Sequence, residues 1–260
     1  MIAGRRDTPV FGQSDMPKCE DIPYGVLLTA CDSPSILSSR IHQCSAEWSA
    51  EGLEDGFWER MGVTLPESLA SAVTKRKAEF VAGRVCAARA LRMAGCAGPS
   101  ELLVSPDRTP VWPEGFVGSI THTKGFVSAA VASGADMRSV GIDSERIMSE
   151  RTSAQVKGLV AGGESSANWL APGETPPLTQ VEWTTLIFSA KESVYKCLYP
   201  VVKTFLGFAD VRCVACDWAA RKLTLRLVRD ASGEFGAGTE LSSRWEIVEP
   251  YIHTAVELAW

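Results

Sequence analysis

Alternation of apolar and polar residues, or a short unbroken apolar run, marks the predicted strands of this chain. In the first half these segments are Tyr24–Ala30, Leu102–Val104, Phe116–His122, Phe126–Ala132 and the run that ends at Gly141-Ile-Asp143. Only Thr123-Lys-Gly separates the third segment from the fourth, which predicts a hairpin. Further along, period-two alternation at 222–228, 244–248 and 254–260 predicts an antiparallel sheet.

Two longer segments have the spacing of helices. The first runs from Pro66 to about Met93 with a break near Thr74, and its second half predicts a buried stripe at positions 81, 85, 88 and 91. The second begins near Glu182 and repeats apolar residues every three or four positions until Tyr199-Pro200, where proline is predicted to end it. Between them, residues 148–180 are rich in Ser, Gly, Ala and Pro and predict a helix near 156–159 followed by a mobile connection.

Composition narrows the class of protein. The chain has 260 residues, of which 45% are hydrophobic and 22% charged, values ordinary for a globular protein. A net charge of −5 argues against binding nucleic acid over a broad surface. Neither a secretory leader nor an apolar run of transmembrane length is visible, so we expect a cytoplasmic protein with no membrane span. Residues 1–24 lack periodicity and predict an N-terminal arm.

The eight cysteines predict reduced thiols, because the chain is long and shows no secretory context. Cys213-Val-Ala-Cys216 is the single C-x-x-C. No second pair and no nearby histidine would complete a zinc site around it. We therefore expect these two cysteines to be small residues of a half-buried strand.

Acidic residues gather at the end of one predicted strand and on one helix. Asp143 and Glu145 are two apart on an extended segment and so face the same side, whereas Glu192 and Lys196 are four apart on a helix. Three carboxylates and an ammonium suggest a site for a hard cation such as Mg²⁺ beside a phosphate. The alternative from spacing alone is a polar strand end and a surface Glu–Lys pair worth about 0.3 kcal/mol.

Basic residues form a second candidate set. Arg76 and Arg84 lie about 80° apart around an ideal helix and could hold one anion, with Arg108 as a third guanidinium. His122, preceded by Thr121, ends a predicted strand where an imidazole could reach a ligand. The alternatives are solvated surface charge for the arginines and a structural role for the histidine.

Several motifs in order resemble those of the 4'-phosphopantetheinyl transferases, specifically the surfactin and enterobactin type. The resemblance covers about residues 76–208, roughly half the chain. Arg108 stands where many relatives have lysine, and the helix motif departs from the frequent Trp-x-x-Lys-Glu-Ala by Phe188 and Ser193. The matching segments are Arg76-Lys-Ala-Glu-Phe-Val-Ala-Gly-Arg84, Asp107-Arg-Thr-Pro-Val-Trp-Pro-Glu-Gly115, Gly118-Ser-Ile-Thr-His122, Gly141-Ile-Asp-Ser-Glu145 and Phe188-Ser-Ala-Lys-Glu-Ser-Val-Tyr-Lys196.

The resemblance implies an α/β (α+β) fold of two similar lobes, each a small antiparallel sheet packed with helices. The lobes would be residues 25–135 and 136–260, with the ligand between them. The implied reaction transfers the 4'-phosphopantetheinyl group from coenzyme A to a serine of an apo acyl or peptidyl carrier protein and releases 3',5'-ADP. The alternatives are a catalytically idle coenzyme A or nucleotide-binding regulator and an unrelated Mg²⁺-dependent phosphohydrolase.

The resemblance also assigns roles to residues. Asp143, Glu145 and Glu192 would hold Mg²⁺, with Mn²⁺ as an alternative, and Asp143, Glu192 and Lys196 would form the catalytic set. Either Glu192 or a metal-bound water would take the serine proton. The residues expected to bind coenzyme A are Arg76, Arg84 and Arg108 at its 3'-phosphoadenosine end, Thr121 and His122 at a phosphate, and Lys191 and Lys196 at the pyrophosphate.

The expected partner is a carrier protein, met by a monomeric enzyme. Carriers of siderophore, other nonribosomal peptide, polyketide and fatty-acid synthesis all fit the implied reaction. The resemblance to the enterobactin type favours secondary metabolism.

Overall fold

The computed structural model describes residues 27–98, 102–170 and 174–260. The predicted arm, residues 1–24, lies outside the described residues. Short 3₁₀ turns occur at Glu67–Leu69, Ser166–Trp169 and Phe208–Asp210. The strands are β1 Leu28–Cys31, β2 Ile41–Trp48, β3 Leu103–Val104, β4 Pro110–Val111, β5 Phe116–Thr123, β6 Phe126–Ser133, β7 Met137–Arg146, β8 Val211–Asp217, β9 Lys222–Leu227, β10 Glu240–Val248 and β11 Tyr251–Ala259. The helices are α1 Phe57–Arg60, α2 Thr74–Met93, α3 Glu150–Ala161 and α4 Gln180–Val202.

Two antiparallel sheets organise the chain. The first has the order β1-β2-β6-β5 and carries α2, and the second has the order β7-β11-β10-β9-β8 and carries α4 with α3 beside it. We call the first sheet, with α1, α2 and the β3–β4 hairpin, the N-terminal lobe, and the second sheet, with α3 and α4, the C-terminal lobe. This arrangement confirms the predicted α+β fold of antiparallel sheets packed with helices.

The N-terminal lobe packs α2 closely on its sheet. Val81 and Leu91 are fully buried as the stripe predicted, but Val85 and Ala88 are partly exposed. Small residues complete the buried face instead, namely Ala78, Ala82, Gly83, Cys86, Ala87 and Ala90. A Cβ at Gly83 would lie only 3.0 Å from the side chain of Ile120 on β5. The small face therefore brings α2 near the sheet, which hydrophobic spacing could not reveal.

Strand β2 has no counterpart among the predicted elements. It lies between β1 and β6, so it is central in its sheet, yet its buried positions include Cys44, Ser45 and Ala46. The Ser45 hydroxyl donates to Ser128 on β6 at 2.9 Å, which satisfies a polar group within the sheet. Small and polar residues in a central strand remove the apolar alternation on which strand prediction depends.

Helix α4 begins as predicted but extends further. Thr179 and Glu182 form a capping box at its start. The helix continues through Pro200 to Val202, so the prediction that it ends at Tyr199-Pro200 was wrong. Pro200 lies in the last turn, where it removes only one helical hydrogen bond, and Lys203 closes the helix by donating its N–H to the Tyr199 carbonyl at 2.9 Å.

The two lobes meet where β5 and β7 run side by side in the same direction. Hydroxyl groups of β5 accept backbone N–H groups of β7, from Ile142 to Ser119 at 3.1 Å and from Ser144 to Thr121 at 2.9 Å. A third, longer contact of 3.4 Å joins the Arg146 N–H to Thr123. We call this row the hydroxyl seam. Side-chain oxygens thus take the place of the carbonyl groups that would pair two strands of one sheet.

The thiols agree with the sequence prediction. Among the described residues, Cys86, Cys96, Cys197, Cys213 and Cys216 are free thiols, and the last two lie on β8. Burial raises the pKa of the Cys216 thiol to about 12, so this group is protonated and weakly reactive at neutral pH. Separately, no helix in the described ranges is both long and apolar enough to span a bilayer.

Candidate active site

The site begins with a close approach of α4 to β7. A Cβ built on Gly141 would lie 2.0 Å from the carbonyl oxygen of Ser193 and 2.5 Å from the backbone nitrogen of Cys197. Only glycine fits, because real Cβ atoms do not approach backbone so closely. The crossing places Asp143 and Glu145, the next residues on the same face of β7, beside Glu192 and Lys196 of α4. This explains physically why glycine precedes the acidic pair.

Lys196 and Asp143 form the central contact. The Lys196 ammonium donates to Oδ1 of Asp143 at 2.6 Å, and the Thr121 hydroxyl donates to the same oxygen at 3.3 Å. Asp143 is only 4% exposed. Its other oxygen, Oδ2, is buried and has no hydrogen-bond partner among the described residues. An unpaired buried carboxylate oxygen is costly, which is a reason to expect a ligand there.

The carboxylates influence one another. Burial, reinforced by the negative charge of Asp143, raises the pKa of Glu145 to about 8, although Lys196 opposes the shift. Burial and the charge of Asp143 also raise the pKa of Glu192. One ammonium therefore faces three acidic groups, and additional positive charge would favour their ionised forms.

The acidic residues have the donor atoms that a hard cation prefers, but their side chains are not gathered around one point. Among the described residues, no three His, Cys, Asp or Glu side chains approach one another closely enough to hold a metal ion together. Asp143, Glu145 and Glu192 nevertheless offer only oxygen donors, which Mg²⁺ prefers. The unpaired Oδ2 of Asp143 and the raised pKa values of both glutamates are what such a set would show without its cation.

A cleft of about 510 Å³ adjoins this cluster and lies between the lobes. Residues of α2, the β3–β4 hairpin, β5 and α4 form its walls. Its basic lining consists of Arg76, Arg84, Arg108, His122, Lys196 and Lys203, and its aromatic lining includes Phe80, Trp112, Tyr195 and Tyr199. Such a lining suits an anionic ligand that carries a flat ring.

The arginines of α2 are held by neighbours. Arg84 donates through Nε to the carbonyl of Leu102 at 3.2 Å, and its guanidinium lies 4.4 Å from the centre of the Phe80 ring. Burial lowers the pKa of Arg84 to about 10, so it stays charged at neutral pH. Arg76 contacts Glu79 at 3.2 Å and Nε2 of His122 at 3.3 Å. The cleft therefore holds fixed guanidinium groups.

The surroundings of His122 favour its neutral form, although the residue is exposed at the wall of the cleft. Burial lowers its pKa below the usual value, and Lys196 and Arg76 act in the same direction while Glu79 and Asp143 oppose. A neutral imidazole can donate one hydrogen bond and accept another. His122 thus offers the cleft hydrogen bonding in addition to the charge of the arginines.

Two residues expected at coenzyme A do not line the cleft. The Thr121 hydroxyl is 2% exposed and is engaged with Asp143 and the hydroxyl seam. Lys191 points into the C-terminal lobe, where its ammonium donates to the carbonyls of Val160 at 2.7 Å and Phe208 at 3.1 Å and contacts Glu164 at 3.3 Å. At 4% exposure Lys191 is not placed to meet a pyrophosphate in the cleft.

The structure also adds residues that sequence reasoning missed. Tyr199 and Lys203 line the cleft one and two turns after Lys196. Glu192, Lys196, Tyr199 and Lys203 follow one another at spacings of four, three and four residues, which puts them on one face of α4 and its C-cap. Helical periodicity could therefore have predicted that Tyr199 and Lys203 lie on the same side as Lys196. Glu79, three residues after Arg76, was likewise detectable by its position on α2.

Comparison with known proteins agrees with this architecture. Residues 65–132 match the family model of the 4'-phosphopantetheinyl transferase N-terminal domain. Residues 139–256 match the model of the 4'-phosphopantetheinyl transferase superfamily. The two matched segments fall on the two lobes and meet at the cleft.

Three named proteins give the degree of similarity. 4'-phosphopantetheinyl transferase Svp of Streptomyces mobaraensis is 39% identical over 196 residues, 74% of this chain and 76% of that protein. PptT of Mycobacterium tuberculosis is 33% identical over 202 residues, 75% of this chain and 86% of that protein. Enterobactin synthase component D of Salmonella typhi is 35% identical over 163 residues, 62% of this chain and 64% of that protein. The chain therefore belongs to the 4'-phosphopantetheinyl transferase superfamily.

Proposed function

We propose that this protein transfers the 4'-phosphopantetheinyl group of coenzyme A to a serine hydroxyl of an apo carrier protein and releases 3',5'-ADP. The main support is that a basic cleft and an acidic cluster adjoin each other. A cleft lined by Arg76, Arg84, Arg108 and His122 leads at Lys196 into the acidic cluster of Asp143, Glu145 and Glu192. A phosphate-binding surface that ends at a candidate cation site suits the transfer of a phosphate-linked group.

The cleft suggests the orientation of coenzyme A. The 3'-phosphoadenosine end lies against the arginines of α2 and the β3–β4 hairpin, where guanidinium groups pair with phosphate and aromatic rings contact the base. The pyrophosphate then reaches Lys196, and the pantetheine arm leaves toward solvent. This orientation brings the reacting phosphorus beside Glu192 on the same face of α4.

The reaction is a displacement at the phosphorus that bears pantetheine. The serine oxygen forms a bond to that phosphorus while the bond to the bridging oxygen of the pyrophosphate breaks, and that oxygen leaves with 3',5'-ADP. Glu192 accepts the serine proton. Lys196 stabilises the negative charge that develops on the leaving group.

Asp143, Glu145 and Glu192 would hold a divalent cation, which we propose is Mg²⁺, with Mn²⁺ able to replace it. When bound, the cation supplies positive charge to the pyrophosphate oxygens. The chain's own contribution is positional, because Thr121 and Lys196 fix the Asp143 carboxylate through hydrogen bonds to Oδ1 and leave Oδ2 unpaired.

The physiological partner is a carrier protein of secondary metabolism in this proposal. One of the similar proteins carries the name enterobactin synthase component D, which supports a siderophore or other nonribosomal peptide carrier. Polyketide and fatty-acid carriers are the alternatives to compare. The cytoplasmic location and the monomeric state stay predictions.

The direct test is the intact mass of a purified apo carrier after incubation with this protein, coenzyme A and Mg²⁺. We expect the mass to increase by one phosphopantetheine arm and 3',5'-ADP to appear in equal amount. A parallel reaction with EDTA should give no product. Asp143→Ala and Glu192→Ala should nearly abolish the product while each variant remains folded by circular dichroism.

Two outcomes would contradict the proposal. Coenzyme A binding without modification of any tested peptidyl, polyketide or fatty-acid carrier would favour an idle binding protein. Release of inorganic phosphate without a carrier would favour a phosphohydrolase. Near-normal turnover of well-folded Asp143→Ala or Glu192→Ala would contradict the assignment of the cation site.

A further inference from the structure

The β3–β4 hairpin crosses from one lobe toward the other. Its tip, residues 105–109, belongs to the N-terminal lobe but reaches the last turn of α4. At its base, the Arg84 guanidinium holds the carbonyl of Leu102. The hairpin therefore has an attachment to each lobe and forms one wall of the cleft.

Asp107 makes the contact at the tip. Its Oδ2 accepts hydrogen bonds from the Tyr199 hydroxyl at 3.2 Å and the Lys203 ammonium at 3.1 Å, both on the C-terminal end of α4. Its Oδ1 accepts from the Thr109 hydroxyl at 2.6 Å, the Thr109 N–H at 3.2 Å and the Ser105 hydroxyl. One oxygen of the carboxylate thus organises its own loop and the other joins the two lobes.

The next residue, Arg108, depends on that loop. Its φ is +66°, in the left-handed region that a non-glycine residue rarely occupies. Two backbone hydrogen bonds hold this turn, from Arg108 N–H to the Ser105 carbonyl at 2.9 Å and from Ser105 N–H to the Thr109 carbonyl at 3.0 Å. Arg108 lines the cleft, so this turn, with its unusual backbone, sets where Arg108 stands on the cleft wall.

We propose that Asp107 is a positioning residue, which ties the hairpin tip to the end of α4 and thereby holds Arg108 at the coenzyme A cleft. The inference rests on the proposed function, because it takes coenzyme A as the ligand. Asp107 acts through Arg108 and the width of the cleft. It does not touch the reacting atoms, and its effect falls on coenzyme A affinity.

Whether loss of Asp107 weakens or strengthens coenzyme A binding shows whether Asp107 has this positioning role. A carboxylate near a phosphate-binding cleft repels the ligand, so removing it should strengthen binding if charge alone mattered. A positioning residue gives the opposite result, because its loss frees Arg108 and opens the wall of the cleft. Exposed ion pairs contribute little to stability, so a general loss of folding is not expected either.

The test measures the dissociation constant of coenzyme A by calorimetry, without carrier protein. For Asp107→Ala and Asp107→Asn we expect binding on the order of tenfold weaker, similar to the effect of Arg108→Ala. The double variant of Asp107→Ala with Arg108→Ala should bind about as weakly as Arg108→Ala alone, because coupled residues are not additive. With carrier present, the KM for coenzyme A should rise while kcat changes by less than about twofold.

Tyr199→Phe is the second variant, since it removes one hydrogen bond between the lobes and keeps the aromatic ring on the cleft wall, the charge of Lys203 and the contacts of Asp107 within its loop. It should weaken binding, and adding it to Asp107→Ala should weaken binding no further. Glu240→Ala is the matched control. This substitution breaks an exposed ion pair between Glu240 on β10 and Arg226 on β9, whose side chains are 47% and 50% exposed. It should leave the dissociation constant of coenzyme A unchanged.

Unchanged or tighter coenzyme A binding by folded Asp107 variants would overturn the inference. The inference would also be overturned if the double variant weakened binding by the product of the two single effects. A decrease in kcat without a rise in KM would overturn it as well. If the wild-type protein bound no coenzyme A, the proposed function would fail first, and that outcome is distinct because it precedes any comparison of variants.

Discussion

At the scale of single residues, the acidic cluster has features that lower the stability of the ligand-free protein. Three carboxylates lie near one ammonium, and one oxygen of Asp143 is unpaired. The pKa of Glu145, raised to about 8 by burial and by Asp143, means that ionising this group opposes folding at neutral pH. Function and stability therefore place opposite demands on this side chain.

Glu145→Gln should make that conflict measurable. The substitution removes a buried, repelled charge, so the free energy of unfolding in metal-free buffer at pH 8 should rise by about 1 kcal/mol or more. Carrier modification should fall by at least about 100-fold, because Glu145 is one of the proposed cation ligands. Chemical denaturation and the carrier mass assay give the two quantities. A variant that is less stable than wild type and fully active would contradict both roles.

At the scale of elements, α4 determines the geometry of the site. Its capping box fixes where the helix starts, and glycine at 141 allows it to lie against β7. Ser139 also donates its hydroxyl to the carbonyl of Cys197 at 2.6 Å, which fixes the helix along the strand. The positions of Glu192 and Lys196 are therefore a consequence of backbone packing and not of contacts between their own side chains.

Gly141→Ala tests this packing. Its methyl group would overlap backbone atoms of Ser193 and Cys197, so α4 must move and the free energy of unfolding should fall by at least about 3 kcal/mol. Gly158→Ala on α3 is the control, because nothing lies within 4 Å of its added methyl group. That exposed helical position should gain about 1 kcal/mol from the better helix former. Equal effects of the two substitutions in urea denaturation would refute the close-packing argument.

At the scale of the molecule, the lobes share a buried junction beside the hydroxyl seam. His253 on β11 lies there, with its Nδ1 2.9 Å from the Ser144 hydroxyl and its ring 4.9 Å from that of Phe126. His253 is 2% exposed, and burial lowers its pKa to about 4. The folded protein keeps this imidazole neutral under conditions in which the unfolded chain would protonate it.

Acid should therefore loosen the molecule through His253. Its contribution to stability is fully present above the unfolded pKa of 6.5 and decreases as pH falls toward 4, because the unfolded state binds the extra proton. Between pH 7.5 and pH 5 this amounts to about 2 kcal/mol. Free energies of unfolding for wild type and His253→Gln at both pH values isolate the contribution from that of Glu145, which has the opposite sign. Equal pH dependence in the two proteins would refute it.

The predictable part of the fold came from regular patterns. Two short strand-like segments joined by Thr123-Lys-Gly predicted the β5–β6 hairpin, and period-two alternation predicted the C-terminal strands. Helical spacing predicted α2 and α4. Strand β2 was missed because its buried positions carry Cys44, Ser45 and Ala46, whose burial depends on neighbouring strands. The end of α4 was misjudged because proline costs little in a last turn that tertiary packing already holds.

The same distinction applies to the site. Simple periodicity placed Asp143 and Glu145 on one side of a strand and Glu192 and Lys196 on one face of a helix. That the two pairs belong to one site was what the family resemblance implied, and their roles stay predictions. The direction of Lys191 was not predictable, because it depends on carbonyl groups of α3 and the 208–210 turn that are distant in sequence. Asp107 lay inside a recognised motif, but its reach to α4 appears only once the lobes are assembled.

The hydroxyl seam has a consequence for how such an enzyme can vary. In an ordinary sheet, backbone pairing is independent of side-chain identity, so no substitution except proline removes a rung. Here each rung belongs to the side chain of Ser119, Thr121 or Thr123. Each hydrogen bond between the lobes can therefore be removed by a single substitution. Exchange of threonine for valine would weaken the junction between the lobes and keep nearly the same side-chain shape. Substitutions at these three positions would therefore change the stiffness of the junction between the lobes while both sheets stay intact.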